Sequence, residues 1–265
     1  MNAEGTVAEV LAGAARFAVV CGERDEVLAS MGDASVDVTL TDAPYNERTH
    51  AGMVSLTTHA KGRRGDDVRP VSAGFDPLAS LSWWPETLRA TRRWCVSFCA
   101  LEHLGAYESA APQTWVRAGA WVRTNAMPQM TGDRPAQGGE GLAIAHREGR
   151  KRWNGGGRPA VWFGDMPRGV HESEDEQRLH PTQKPLRLMR ELVRDFSDPR
   201  EVIADWHAGS GTTGVAALLE GRRVILVERN PEHAATCRRR LAETVPGEGT
   251  RKAKQLGLFA KAGAP

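Results

Sequence analysis

The 265-residue chain predicts an α/β fold built on an open, Rossmann-like sheet. Two stretches carry that prediction. Residues 201–228 read in order as strand, glycine turn, helix, strand and acid. Far upstream, Asp42, Ala43, Pro44 and Tyr45 follow directly on Val36–Thr41, a β-branched run that alternates apolar and polar residues. Strand ends of this kind are where ligands bind in open α/β sheets.

The elements follow along the chain. Residues 1–46 predict an amphipathic lead-in, a strand near Phe17–Gly22, a helix near Glu26–Met31 and the strand that ends at Asp42. Residues 47–76, rich in Gly, Thr and charge, predict a mobile loop of the kind that closes over substrate. Leu78–Ala90 reads as a helix, Trp94–Ala100 as a buried strand and His103–Ala110 as a helix. Residues 125–178 hold many Gly, Pro and Arg with few periodic runs, so they predict an irregular insertion. Leu188, Met189, Leu192, Val193 and Phe196 recur at helical spacing over Leu186–Phe196. Glu201–Ala204 is a short apolar strand, Val215–Leu219 a helix stopped by Gly221, Arg223–Val227 a second strand, and Pro231–Leu241 a closing basic helix. Thr250–Pro265 predicts a disordered tail.

The glycine turn comprises Asp205, Trp206, His207, Ala208, Gly209, Ser210, Gly211, Thr212, Thr213 and Gly214. Glycines let a backbone turn tightly and approach a ligand. Glu228, at the next strand end, suits the two hydroxyls of a ribose. The glycine spacing alone accommodates NAD or S-adenosylmethionine (AdoMet). Asp205 favours the second, because a carboxylate attracts a methionine ammonium and repels a pyrophosphate. Asp42–Tyr45 suits an exocyclic amine. The Asp42 carboxylate and the Ala43 carbonyl can each accept one of its hydrogens. Pro44 restricts both itself and Ala43, and Tyr45 offers a flat face to a base.

Together these motifs resemble the β-group of amino-methylating DNA methyltransferases, phage and bacterial in type, in which the catalytic tetrapeptide precedes the AdoMet loop. Phe17–Gly22, Val27, Leu28 and Asp33–Asp37 are similar to that family's lead-in. His180–Pro185 resembles the segment that helps enclose the cofactor, through Thr182 and Lys184. Gly132–Pro135 and Gly149–Gly157 resemble segments of phage-type adenine enzymes. The resemblance implies an AdoMet-dependent methyltransferase sheet with circularly permuted motif order, base flipping, and transfer to adenine N6, with cytosine N4 as the alternative. Aspartate at the first motif position looks more like the adenine enzymes. A restriction partner and a homodimer are compatible with it.

Two positions depart from the family pattern. Ala43 stands where proline is usual, which relaxes one backbone constraint at a cost of several tenths to about 1 kcal/mol of pre-organisation. His207 replaces an aromatic wall beside the cofactor. A catalytically impaired AdoMet- or DNA-binding protein is therefore the reading from a different class.

Net charge is only +2, so bulk charge does not point to nucleic acid. Local clusters do: Lys61, Arg63 and Arg64, and Arg147, Arg150, Lys151 and Arg152, predict phosphate contacts with double-stranded DNA. Trp153 beside the second cluster could stack. Glu172–Glu176 reads as a solvated acidic loop. The four cysteines, Cys21, Cys95, Cys99 and Cys237, lack zinc spacing, and no metal is expected. No apolar run reaches transmembrane length, so a reducing cytoplasm and no membrane association are expected. Gln255–Phe259 resembles the short peptide by which bacterial replication proteins dock on the sliding clamp. The expected organisation is a catalytic part over 1–124, a DNA-recognition insertion over 125–178, an AdoMet-binding part over 179–245 and a flexible tail over 246–265.

Overall fold

The computed structural model describes residues 2–44, 80–126, 128–129, 132–165 and 183–247. Its described strands form one nine-stranded sheet. They are β1 (Asn2–Glu4), β2 (Ala15–Cys21), β3 (Val38–Asp42), β4 (Trp94–Cys99), β5 (Trp115–Val122), β6 (Gly139–His146), β7 (Val161–Phe163), β8 (Val202–Asp205) and β9 (Arg223–Glu228). The described α-helices are α1 (Val7–Ala12), α2 (Arg24–Ser30), α3 (Trp83–Ala90), α4 (Leu104–Ala110), α5 (Leu186–Phe196), α6 (Thr212–Leu219) and α7 (Pro231–Glu243).

The strands lie in the order β1-β2-β9-β8-β3-β4-β6-β5-β7. Among them only β6 runs against its neighbours. Period-two alternation sends side chains to opposite faces. In β9, Val224 and Leu226 join a core with α5, α6 and α7, whereas Ile225 and Val227 join one with α1 and α2. In β4, Trp94, Val96 and Phe98 face the first core, and Cys95 and Cys99 face α3 and α4. Helices thus cover both faces, and the central strands are buried throughout.

The topology places a site. From β8 the chain passes through α6 to β9 on one side; from β3 it passes on to β4 on the other. Strands β8 and β3 are adjacent and parallel, with Val38 opposite Ile203 and Thr39 opposite Ala204. Such a reversal opens a crevice at the carboxyl ends of the two strands. Asp42 ends β3 and Asp205 ends β8.

One expectation differs. The segment read as an irregular insertion contributes β6 and β7 to the sheet, and β6 is buried along nearly its whole length. Its run Leu142–Ala145 consists of small and apolar residues bounded by glycine and histidine. A two-sided buried strand shows no alternation, so periodicity passes over it. The chain leaves the sheet after Val122 and Phe163 at the end level with Cys99 and Asp42 through the ladder, and after His146 at the opposite end.

Candidate active site at the carboxyl ends of β3 and β8

The glycine turn takes its shape from two left-handed residues, Gly209 at φ 53° and Gly211 at φ 82°. Gly211 caps α6. A Cβ there would sit 3.0 Å from Cys237 Sγ, so both backbone and space require glycine. Gly214, one turn into α6, lets the helix close on Leu226 and Leu241, which an added Cβ would meet at 2.9 and 3.0 Å. At Gly209 an added Cβ would meet nothing within 4 Å, so this part of the loop faces open space.

The loop is held from behind. The Gly209 amide donates to Glu228 Oε2 at 2.8 Å, and the Asn230 amide to Glu228 Oε1 at 2.8 Å. The Ala208 amide donates to the Val227 carbonyl at 3.0 Å. From α7, Arg240 Nη1 donates to the Ser210 carbonyl at 2.5 Å and to Thr212 Oγ1 at 3.3 Å. Ser210 Oγ donates to Gln183 Oε1 at 3.4 Å, which ties the segment before α5 to the loop.

Asp205 is 2% exposed, and burial pushes its carboxyl up to about 6 against the hydrogen bonds that favour its charge. Its Oδ1 accepts from Thr41 Oγ1 at 2.7 Å and from the His207 amide at 3.1 Å. Thr41 precedes Asp42 on β3, so this single bond joins the two motif-bearing strand ends. Trp206 is buried, with Nε1 donating to Thr39 Oγ1 at 3.1 Å. His207 is partly buried against the edge of Trp83, with ring centroids 5.0 Å apart. Its Nδ1 lies 3.1 Å from Thr41 Oγ1 and its Nε2 2.9 Å from Arg24 Nη1. Burial first, then the Arg24 charge, depresses its pKa to about 3.

Asp42 meets an unexpected neighbour. Lys184 Nζ stands 2.6 Å from Asp42 Oδ2 and 3.1 Å from Glu140 Oε2, over the Phe98 ring. Glu140 in turn lies 3.7 Å from Arg123. The four side chains alternate in charge across the ends of β3, β6 and β5. Burial pulls the Lys184 ammonium down, but Asp42 and Glu140 together raise its pKa above the ordinary lysine value, so it is charged. Sequence reading placed Lys184 at the cofactor. In the structure its ammonium lies against the carboxylates of Asp42 on β3 and Glu140 on β6.

The remaining expected residues sort by position. Asp42, Ala43, Pro44, Asp205, His207, Ala208, Gly209, Ser210, Gly211, Thr212 and Glu228 gather at one edge of the sheet. Tyr45, Arg63, Arg64, Thr182 and Gln255–Phe259 lie outside the described residues. Arg147, Arg150, Lys151 and Arg152 follow His146, which pairs with Trp94 at the opposite end of β4 from Asp42's level. There Arg147 Nη1 donates to the Arg89 carbonyl at 2.6 Å, and Arg152 pairs with Asp198 at 3.2 Å. The structure does not bring this cluster to the Asp42 edge. Charge density alone said nothing of which strand end it would follow. Sequence reasoning also passed over Arg24, Thr41, Arg123 and Glu140. Thr41 could have been found as the residue before the motif; the others lie in stretches with no spacing to mark them.

The fold and part of the chain are similar to known proteins. Residues 120–239 match the family model of N6/N4 methyltransferases, described as DNA methylase. Among its relatives is the DNA adenine methyltransferase YhdJ of Escherichia coli (strain K12), 42% identical over 81 residues. That match covers 31% of this chain and 26% of YhdJ, so the aligned stretch spans about a quarter of that relative. The fold is similar to the M1.HpyAVI–SAM complex, with TM-score 0.61, 19% identity, and coverage of 85% of this chain and 98% of that one. It is also similar to PvuII DNA methyltransferase, cytosine-N4-specific, with TM-score 0.62, 14% identity and coverage of 92% and 93%. At these identities the two structures bear on the fold. Among the described residues no helix is long and apolar enough to cross a membrane.

Proposed function

We propose that this protein transfers a methyl group from AdoMet to adenine N6 in double-stranded DNA. The observation that carries the reading is the Thr41–Asp205 bond at 2.7 Å. It fixes an amine-handling motif beside a glycine loop at the switch point of the sheet.

The residues suit AdoMet. The loop faces open space at Gly209, Asp205 offers a carboxylate for an ammonium, and Glu228 keeps lone pairs for hydroxyls after accepting two amides. When bound, AdoMet supplies an electrophilic methyl on a sulfonium. The protein supplies position and charge. Asp42 and the Ala43 carbonyl accept the two amine hydrogens, which orients the nitrogen and raises its electron density. Lys184 holds Asp42 Oδ2, so the carboxylate cannot swing. Pro44 sets the chain direction, and Tyr45 is assigned to stack on a flipped base. Thr182 is assigned to the cofactor, and Arg63 and Arg64 to DNA phosphates. Transfer is direct, and no cysteine nucleophile is required: burial pushes the Cys95, Cys99 and Cys237 thiols up to about 12.

Cytosine N4 is the second reading. It is favoured by the likeness to PvuII methyltransferase and by a site that would accept either amine. Nucleoside analysis of DNA treated with protein and AdoMet decides between them. N6-methyladenine supports the first reading; N4-methylcytosine replaces it with the second. Sliding-clamp docking through Gln255–Phe259 is a separate proposal. Deleting those residues abolishes clamp pull-down with methyl transfer unchanged; failure of the intact chain to bind the clamp removes the idea.

A further inference from the structure

We propose that Arg24, which belongs to no motif, is a positioning residue for the cofactor loop and acts on Asp205 through a one-way hydrogen-bond relay, Arg24 to His207 to Thr41 to Asp205. The proposal rests on AdoMet binding at the loop.

The direction of each bond follows from the first. A guanidinium has donors only. Arg24 Nη1 lies 2.9 Å from His207 Nε2, so that nitrogen accepts. A neutral imidazole then carries its hydrogen on Nδ1. Nδ1 lies 3.1 Å from Thr41 Oγ1, and therefore donates to it. The hydroxyl hydrogen is left for Asp205 Oδ1 at 2.7 Å. Every polarity is consistent, and none can be reversed while Arg24 is charged. The arginine itself is anchored: Nε and Nη2 grip Asp25 at 2.7 and 3.0 Å, and its guanidinium carbon stands 5.0 Å from the Trp83 ring centroid. A protonated imidazole would face Arg24 as a like charge and could not accept from it, in keeping with the depressed pKa of His207.

This gives His207 a role that a phenylalanine could not fill. It transmits the orientation of α2 to the carboxylate at the end of β8, 181 residues later in sequence than Arg24. Asp205 Oδ1 is thereby held by two donors, Thr41 Oγ1 and the His207 amide, with the His207 ring orienting the first, before any ligand arrives.

The test has two arms. In the first, nitrogen-15 NMR of the histidines in the full chain reads the tautomer. Wild type is expected to show His207 neutral with the hydrogen on Nδ1, and Arg24→Met to shift it toward the commoner Nε2–H form. Nε2–H or protonated His207 in wild type at neutral pH overturns the relay. In the second arm, calorimetry with AdoMet expects binding to weaken roughly tenfold in Arg24→Met, about 1.4 kcal/mol, and to be largely restored in Arg24→Lys. Wild-type affinity in a folded Arg24→Met protein overturns the positioning role. If wild type binds no AdoMet, the cofactor reading fails by itself, and the NMR arm still decides the relay.

Discussion

Two carboxylates of the site have different surroundings and therefore different tasks. Asp205 is enclosed, and its pKa of about 6 exceeds the ordinary carboxyl value. Because only the ionised form attracts an ammonium, AdoMet affinity is expected to fall as pH drops through about 6 and to level off above it. Calorimetry over pH 5–8 checks this, and Asp205→Asn should bind weakly at every pH. The His207 pKa is shifted the other way, downward. Its folded pKa of about 3 lies below the unfolded value near 6.5, so the unfolded chain binds more protons between those limits. Its contribution to stability is full above about 6.5 and is lost as pH falls towards 3. His207→Phe should therefore flatten part of the acid limb in urea unfolding measured against pH. Lys184 is the third test. Its removal takes away the cation that stands between Asp42 and Glu140. Lys184→Met should cost about 3 kcal/mol, the low end for breaking a buried pair, because Asp42 retains partial exposure. Chemical denaturation gives that number directly.

At the scale of elements, the glycine turn was the most legible part of the chain. Strands β8 and β9, helices α5, α6 and α7, and the strand ending at Asp42 all follow from pattern and glycine placement. They do so because local chemistry dictates them: Gly211 must be left-handed, and a Cβ would strike Cys237. Gly211→Ala should accordingly cost more than an ordinary helix-cap change, on the order of 2 kcal/mol, with a lowered melting temperature in a thermal scan. β1, β5, β6 and β7 were not legible. β1 has three residues, and β6 is buried on both faces, so neither leaves a periodic trace. Glu140 was lost with β6. Its meaning depends on lying antiparallel to β4, with Gly141 opposite Cys99, and no local signal announces that pairing. The same limit applies to Arg24, whose partner is reached only through the packing of α2 against the sheet.

Across the whole molecule, the site results from topology rather than from either motif. Asp42 and Asp205 stand 163 residues apart in sequence, and they meet because β3 and β8 are neighbours from which the chain departs in opposite directions. The segments that leave near Val122 and Phe163 rise from the same edge. Arg147–Arg152 instead follow His146 at the far end of β4. In the proposed function this edge is one composite site with separable parts, an amine-handling end and a cofactor loop. It is tested most directly by Asp42→Ala, with labelled-methyl transfer to unmethylated DNA and AdoMet binding measured on the same preparation. Transfer is expected to fall at least about a hundredfold while AdoMet affinity stays within about twofold of wild type. Transfer by the variant at the wild-type rate would contradict it.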